Sequence, residues 1–514
     1  MPDSFYWFDY ETFGLRRGEA LPAQFAGRRT DLELNPVDGG EVFYCRPGLD
    51  MLPSPQSCAL TGILPQYCER HGLPEGLFAR EVLRRLGAQG TVGIGYNSLA
   101  FDDEVTRFLL WRNLLPPYER EFNNDCGRWD LYPLVLAYWA LRPEGVNWPR
   151  WSECIGWLNE KRLLKLPEPK NPDAFCFKLE CLSRANGLGH EKAHDALSDV
   201  NATIELARFI RSRNPRFWSW AFENQTKRKV IAQINHPAVL WLDPHQRQDR
   251  GYLRFVRQIG ADSVNPNLVY LWDLSRDPAE LLDQTPESIR QRTFRKTADL
   301  PEGVSPLPIY RLAVNHHPFV CSAVHVLGPR RAEEFGWDFS QIQKNASWFT
   351  AERLRLASDL FSRAFPARGG AEAEPEDADV ALYSSGFPSD RDKGMLKSLQ
   401  NLSPGELEQR VHSGRVIFEK PVYYELLLRY RARNNPEYLN AEEQSRWKAF
   451  VRQKMKSNLP RFESEVQALE ESLEGRGEDI VAQLRQWPRR DALRQILSEE
   501  GVKGGQRENE RQEL

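Results

Sequence analysis

The stretch "FYWFDYETFG", residues 5–14, sets two carboxylates, Asp9 and Glu11, inside an aromatic run that reads as a buried strand. Side chains alternate faces along a strand, so Asp9 and Glu11 share one face while Tyr6, Phe8 and Tyr10 fill the other. Unpaired carboxylates are costly to bury, so a protein keeps two together where a cation neutralises them. Hard divalent ions such as Mg²⁺ take oxygen ligands and leave positions for water and phosphate. The competing reading is a solvated edge strand, against which the aromatics on both faces argue.

Working outward, "GIGYNSLAFDDEVTRF", residues 93–108, ends a Gly-rich apolar run at Tyr96-Asn97 and starts a helix at Asp102-Asp103. Either aspartate serves as a helix cap or faces the metal. A third acidic piece lies in "AHDALSDVNATIELARFI", residues 193–210, whose Leu197, Val200, Ile204 and Ala207 form a core stripe. His194 precedes Asp199 by five positions, which on an ideal helix separates them by about 140°. The two converge only if His194 sits on the lead-in to the helix.

At 514 residues the chain exceeds what one core supports, and length suggests about three domains. The net charge of -3 gives no global field for a polyanion, so any such site rests on local clusters of Lys and Arg. The eight cysteines show neither a CxxC pair nor zinc-type Cys/His spacing, and read as reduced thiols of a cytoplasmic protein. No segment is apolar for long enough to span a membrane. Alternating apolar runs and helical patterns over residues 1–213 argue an α/β domain. Residues 214–365 read as a β-rich domain with helical insertions, from runs at 238–242, 268–272 and 307–312. The acidic, Gly/Pro-containing stretch 366–379 reads as a linker, 380–490 as a helical domain and 491–514 as a polar tail.

Asp-x-Glu on a first strand, an acidic helix start after Asn97, and His-x4-Asp on a late helix together resemble the DEDD superfamily of 3′ to 5′ exonucleases, histidine subclass. "FDDEVTRF", "RWDLYPLVLAYWALRPEGVNWP" and "YYELLLRYRARNNPEYLNAEEQSRW" extend the likeness over nearly the whole chain to the bacterial exodeoxyribonuclease I family. The resemblance implies a ribonuclease H-like exonuclease domain with a mixed sheet, then an SH3-like domain and a C-terminal helical domain. It implies catalysis by Asp9, Glu11, Asp102, His194 and Asp199, four of them holding two Mg²⁺ ions for which Mn²⁺ can substitute, with His194 as proton acceptor. The substrate would be single-stranded DNA, degraded processively to 5′-mononucleotides in DNA repair and recombination.

Substrate contacts are expected from Glu11, Thr12, Phe13, Asn97 and Lys178, the last standing where the family commonly has arginine. Arg107, Tyr118, Phe122 and Arg128 interleave charge with aromatics, as sequence-tolerant strand binding requires. Arg429, Arg431 and Arg433 would extend that track or receive the acidic C-terminal tail of single-stranded-DNA-binding protein, a family partner. The expected form is a monomer. Two alternatives stay open from the residues alone: a DEDD-type RNase or proofreading exonuclease, and a binding protein that keeps the fold without catalysis.

Overall fold

The computed structural model describes residues 2–16, 18–189, 196–366 and 377–498. Strands β1 (Ser4–Thr12), β2 (Pro22–Thr30), β3 (Glu41–Tyr44), β4 (Thr91–Gly95) and β5 (Gly127–Asp130) form a mixed sheet of order β3-β2-β1-β4-β5. β1 runs antiparallel to β2 and parallel to β4, so it is a central strand with both faces covered. That position is why its aromatics alternate without a polar face. Tyr6, Phe8 and Tyr10 pack with Phe25, Phe78, Val82, Val105 and Leu109, from β2 and the helices Glu75–Leu86 and Asp102–Arg112. Phe5 and Trp7 share the opposite core with Leu134, Val200 and Ile204, from the helices Leu131–Leu141 and Ala196–Arg213. Asp9 and Glu11 continue the Phe5/Trp7 face past Trp7↔Ile94, where β1 pairing with β4 has ended.

A second, wholly antiparallel sheet has the order β10-β6-β7-β8-β9. Its strands are β6 (Val239–Leu242), β7 (Leu253–Ala261), β8 (Leu268–Asp273), β9 (Ile309–Ala313) and β10 (Val320–Cys321). It shares an aromatic core with the first domain, in which Trp139 meets Tyr252 and Phe335 at ring separations of 5.9 and 5.5 Å. The third region is helical, led by Val422–Asn434 and the 33-residue helix Ala441–Leu473. Phe462, Val466, Leu469 and Trp487 from this region form one core with Phe13, Met51 and Cys58.

Two expected boundaries need correction. The linker stretch does not run to 379: Ala378 and Asp379 are buried, and Asp377 and Asp379 pair with Arg429 at 2.8 and 3.0 Å. The tail does not start at 491, because Asp491–Ser498 is a helix whose Leu493 and Ile496 pack with Trp447 and Val451.

Candidate active site

Glu11 faces Gln24 across the β1–β2 ladder, and the register slips between Glu11 and Thr12. Such an irregularity re-aims the side chains beside it. The Gln24 side-chain oxygen accepts the backbone N–H of Ala196 at 3.3 Å, fixing the start of the Ala196–Arg213 helix against β2. Asp199, in that helix's first turn, thereby reaches the acidic end of β1: carboxylate oxygens of Asp9, Glu11 and Asp199 all lie within 4.8 Å of one another. Asp102 arrives from the other side, its Oδ1 accepting the Tyr10 backbone N–H at 3.2 Å.

The electrostatics of this cluster are those of a cation site. Burial, then the charges of Asp102, Asp199 and Glu11, push the Asp9 carboxyl well above the ordinary carboxylate range. Burial, then neighbouring Asp103, raises Asp102 to about 8. Like charges at such range favour protonation unless a positive ion intervenes. All of the carboxylates offer hard oxygen donors, so the residues present fit a divalent cation.

Asp103 has the opposite environment. Burial pushes its carboxyl up, but Arg120 at 2.5 Å and Arg128 at 3.0 Å outweigh that and hold it at about 2. Neither aspartate is the N-cap, a position held by Phe101 without a side-chain hydrogen bond. Asp103 therefore secures the wall while Asp102 faces the acidic cluster.

The substrate-contact expectations divide. Arg107 is buried and bonded to Glu121 at 2.7 Å and Glu104 at 2.5 Å, and Arg128 is buried between Asp103 and Glu121. Both therefore serve as internal struts in this structure rather than as strand contacts, buried and held by carboxylates at their terminal nitrogens, although the Arg128 Nε lacks a hydrogen-bond partner. Arg429, Arg431 and Arg433 are corrected likewise. Arg429 and Arg433 hold Asp379, Arg433 also holds Asp50 at 2.8 Å, and Arg431 pairs with Glu443. The Phe13 ring is core, and its N–H donates to the Leu21 carbonyl at 2.8 Å. Thr12 is buried, with its hydroxyl donating to the Gly14 carbonyl.

The remaining contacts stay accessible. Phe122 is 65% exposed, and half-buried Tyr118 meets exposed Phe387 at a ring separation of 5.8 Å. Asn97 is exposed in a left-handed turn with φ 63°, and its N–H donates to Asp130 at 2.8 Å. Half-buried Lys178 stands immediately before the Leu179–Ala185 helix. His194 lies outside the described residues.

Sequence reasoning missed Gln24 and Asp130. Asp130 bonds the backbone N–H groups of Asn97 and Leu99 and, through burial, rises to about 7. Its position at the end of an apolar "RWD" strand was the available signal.

A mixed sheet whose central strand ends at converging carboxylates is the frame of a metal-dependent nuclease, and the family matches make it an exonuclease. Residues 6–207 match the family model described as Exonuclease, 225–365 the Exonuclease I SH3-like domain, and 376–490 the Exonuclease I C-terminal domain. Exodeoxyribonuclease I of Haemophilus influenzae is 33% identical over 477 residues, covering 91% of this chain and 94% of that protein. The moderately thermophilic Exonuclease I from Methylocaldum szegediense superposes with TM-score 0.82 at 34% identity, over 96% of this chain and all of that one. E. coli Exonuclease I in complex with a dA16 oligonucleotide gives TM-score 0.84 at 31% identity, over 96% and 100%. The chain belongs to the exodeoxyribonuclease I family.

Proposed function

We propose that the chain hydrolyses single-stranded DNA from the 3′ end, releasing 5′-mononucleotides, with Asp9, Glu11, Asp102 and Asp199 holding two Mg²⁺ ions. The observation that carries this reading is the approach of Asp9, Glu11 and Asp199 within 4.8 Å, with Asp102 bonded to the strand between the first two. Bound there, divalent ions supply positive charge to the scissile phosphate and favour ionisation of a water. The chain's own residues set the geometry. Gln24 and the β1 ladder hold Asp199 and Glu11 together, and the Tyr10 N–H fixes Asp102. His194, whose ordinary pKa is near neutrality, is assigned the proton of the attacking water. Asn97, Lys178, Tyr118 and Phe122 are assigned to the strand, with exposed Phe122 as a stacking surface.

The zinc-bound form of an E. coli ExoI-ssDNA complex supports both a divalent ion and the substrate class. A relative solved as SSB/Exonuclease I in complex with inhibitor CFAM supports single-stranded-DNA-binding protein as a partner. We propose a nuclease domain over residues 1–213 and a cytoplasmic monomer; no helix among the described residues is long and apolar enough to cross a membrane. The test is degradation of a 3′-labelled single strand with Mg²⁺ and with EDTA: activity only with Mg²⁺ supports the reading, and activity in EDTA or none at all overturns it.

A further inference from the structure

Away from the carboxylates, three thiols meet at one point. Cys154 on the helix Trp151–Lys161, Cys176 on an extended segment and Cys181 on the helix Leu179–Ala185 have sulfur atoms all within 4.8 Å of one another. The Cys176 and Cys181 Sγ atoms are 3.3 Å apart. All three residues are at most 2% exposed, and Leu158, Trp151, Trp157 and Leu166 enclose them. A thiol is a weak donor and a weak acceptor, so gathering three in an apolar shell gains little from hydrogen bonding. Buried Cys45, Cys58, Cys68 and Cys321 join no such group among the described residues.

The segments that bring the thiols together are tied by backbone bonds of their own. The Trp151 N–H donates to the Ala174 carbonyl at 2.9 Å, and the Cys176 N–H to the Pro149 carbonyl at 2.8 Å. Charges of both signs flank the group: Arg184 and Lys161 lie over the Trp157 ring at 4.6 and 5.8 Å and Lys178 is two residues from Cys176, while Glu153 and Glu180 adjoin Cys154 and Cys181. Three thiolates around Zn²⁺ carry a net single negative charge, and around Cu⁺ a double one. The sulfurs come from positions separated by 21 and 4 intervening residues, which is why spacing alone did not disclose them.

We propose that Cys154, Cys176 and Cys181 form a structural site for one soft, thiophilic metal ion of the Zn²⁺ or Cu⁺ class. Binding replaces three S–H protons, released to solvent, by three metal–sulfur bonds, with no change in sulfur oxidation state. Three sulfurs satisfy trigonal Cu⁺, or three of the four positions Zn²⁺ prefers. The ion clamps the segment that carries Phe177 and Lys178, and the Phe177 carbonyl accepts the Tyr96 hydroxyl at 2.5 Å, next to Asn97. The site is thus a brace beneath the assigned substrate contacts, separate from the carboxylate centre.

The full chain, reduced and stripped of metal, is loaded with Zn²⁺, with Cu⁺ under argon, or with Co²⁺, then desalted. The expected result is one retained Zn²⁺ or Cu⁺ per chain, a thiolate-to-cobalt charge-transfer band, and three sulfur scatterers at about 2.3 Å by X-ray absorption of the zinc form. The retained ion and the band persist in an Asp9→Asn, Glu11→Gln double variant and are lost in Cys154→Ser and Cys181→Ser variants. Metal-specific chelators separate zinc from copper occupancy. Fewer than three sulfurs around the ion in the Asp9→Asn, Glu11→Gln double variant, where the carboxylate centre no longer competes for zinc, no charge-transfer band, or a Cys176–Cys181 disulfide in protein purified without reductant overturns the proposal. The X-ray absorption result decides the question even if the cysteine variants fail to fold.

Discussion

The Asp102 carboxylate accepts the Tyr10 backbone N–H at 3.2 Å, a bond that ties the second acidic motif to the residue between Asp9 and Glu11 on the first strand. The separation in sequence is 92 positions, and one helix start closes it. This seating makes the cluster's protonation state a property of the folded chain rather than of any single aspartate.

Stability of the metal-free protein is expected to fall as pH rises. Asp102 titrates at about 8 against an ordinary value of 3.8, and Asp9 shifts in the same direction. The folded state therefore holds protons that the unfolded chain releases. The resulting stabilisation is complete below about pH 4 and is lost as pH climbs towards 8. Mg²⁺ should offset the loss, adding about 2.7 kcal/mol at a concentration 100 times its Kd and so several degrees in Tm. Melting curves at pH 5 and pH 8, with EDTA and with Mg²⁺, check this; a Mg²⁺ effect as large at pH 5 as at pH 8 would count against it.

Replacing one of the proposed ligand carboxylates should separate chemistry from folding. Asp102→Asn is expected to lower kcat by roughly 10²–10³-fold, comparable to removal of one key electrostatic group in other enzymes. The same variant should flatten the pH dependence of melting in EDTA, because the titrating carboxyl is gone. Turnover of a 3′-labelled strand and thermal melts across pH measure the two effects.

Asp103→Ala should unfold the domain rather than impair its chemistry selectively. It strands Arg120 and Arg128 without their shared partner, a loss of about 3–5 kcal/mol for a broken buried pair. Since Asp103 is held at about 2, the wild-type ion pair contributes above the ordinary carboxylate pKa and fades as pH falls from about 4 towards 2. Urea titrations of wild type and variant at pH 7 and pH 3 report both.

Phe122→Ala and Arg107→Ala are expected to differ in kind. Removing exposed Phe122 should weaken single-strand binding by about 1–3 kcal/mol while leaving the melting temperature nearly unchanged. Arg107→Ala should lower stability by breaking its bonds to Glu104 and Glu121. Fluorescence anisotropy with a labelled oligonucleotide, alongside melting, distinguishes a contact from a strut.

A peptide with the acidic C-terminal sequence of single-stranded-DNA-binding protein should bind Arg429→Lys and wild type equally. Arg429 spends its guanidinium on Asp377, Asp379 and Glu425. Titration calorimetry showing a tenfold loss for the folded variant would return that arginine to the partner surface.

What was legible in the sequence was local. The β1 alternation, the helix beginning at Asp102 and the stripe through Val200 and Ile204 follow from periodicities of two and 3.6 within a dozen residues. β2 was not legible, because "PAQFAGRRT" mixes Gln24, Gly27, Arg28 and Arg29 into a strand whose character comes from its neighbours. Gly27 there is required by the Tyr6 ring, which a Cβ would meet at 2.4 Å. Arg107 and Arg128 resembled a cationic track because their partner carboxylates, Glu121 and Asp103, come into register only through tertiary packing. The same holds for the three thiols, whose proximity no spacing rule conveys. Asp9 and Glu11, the proposed metal ligands on β1, stood out because isolated charges in an aromatic strand violate local consistency, as functional groups commonly do.

Asp50, wholly enclosed, owes its negative charge to Arg433 and Lys454, both contributed from beyond residue 430. The nuclease portion is consequently not a cassette. Excised at residue 213, it would lose the Arg433 and Lys454 partners of Asp50, keep only Arg112 of the cations acting on it, and lay the Phe13–Met51 surface bare. Transplanting this catalytic unit into another protein would mean carrying its distant C-terminal helices along, or redesigning position 50 first.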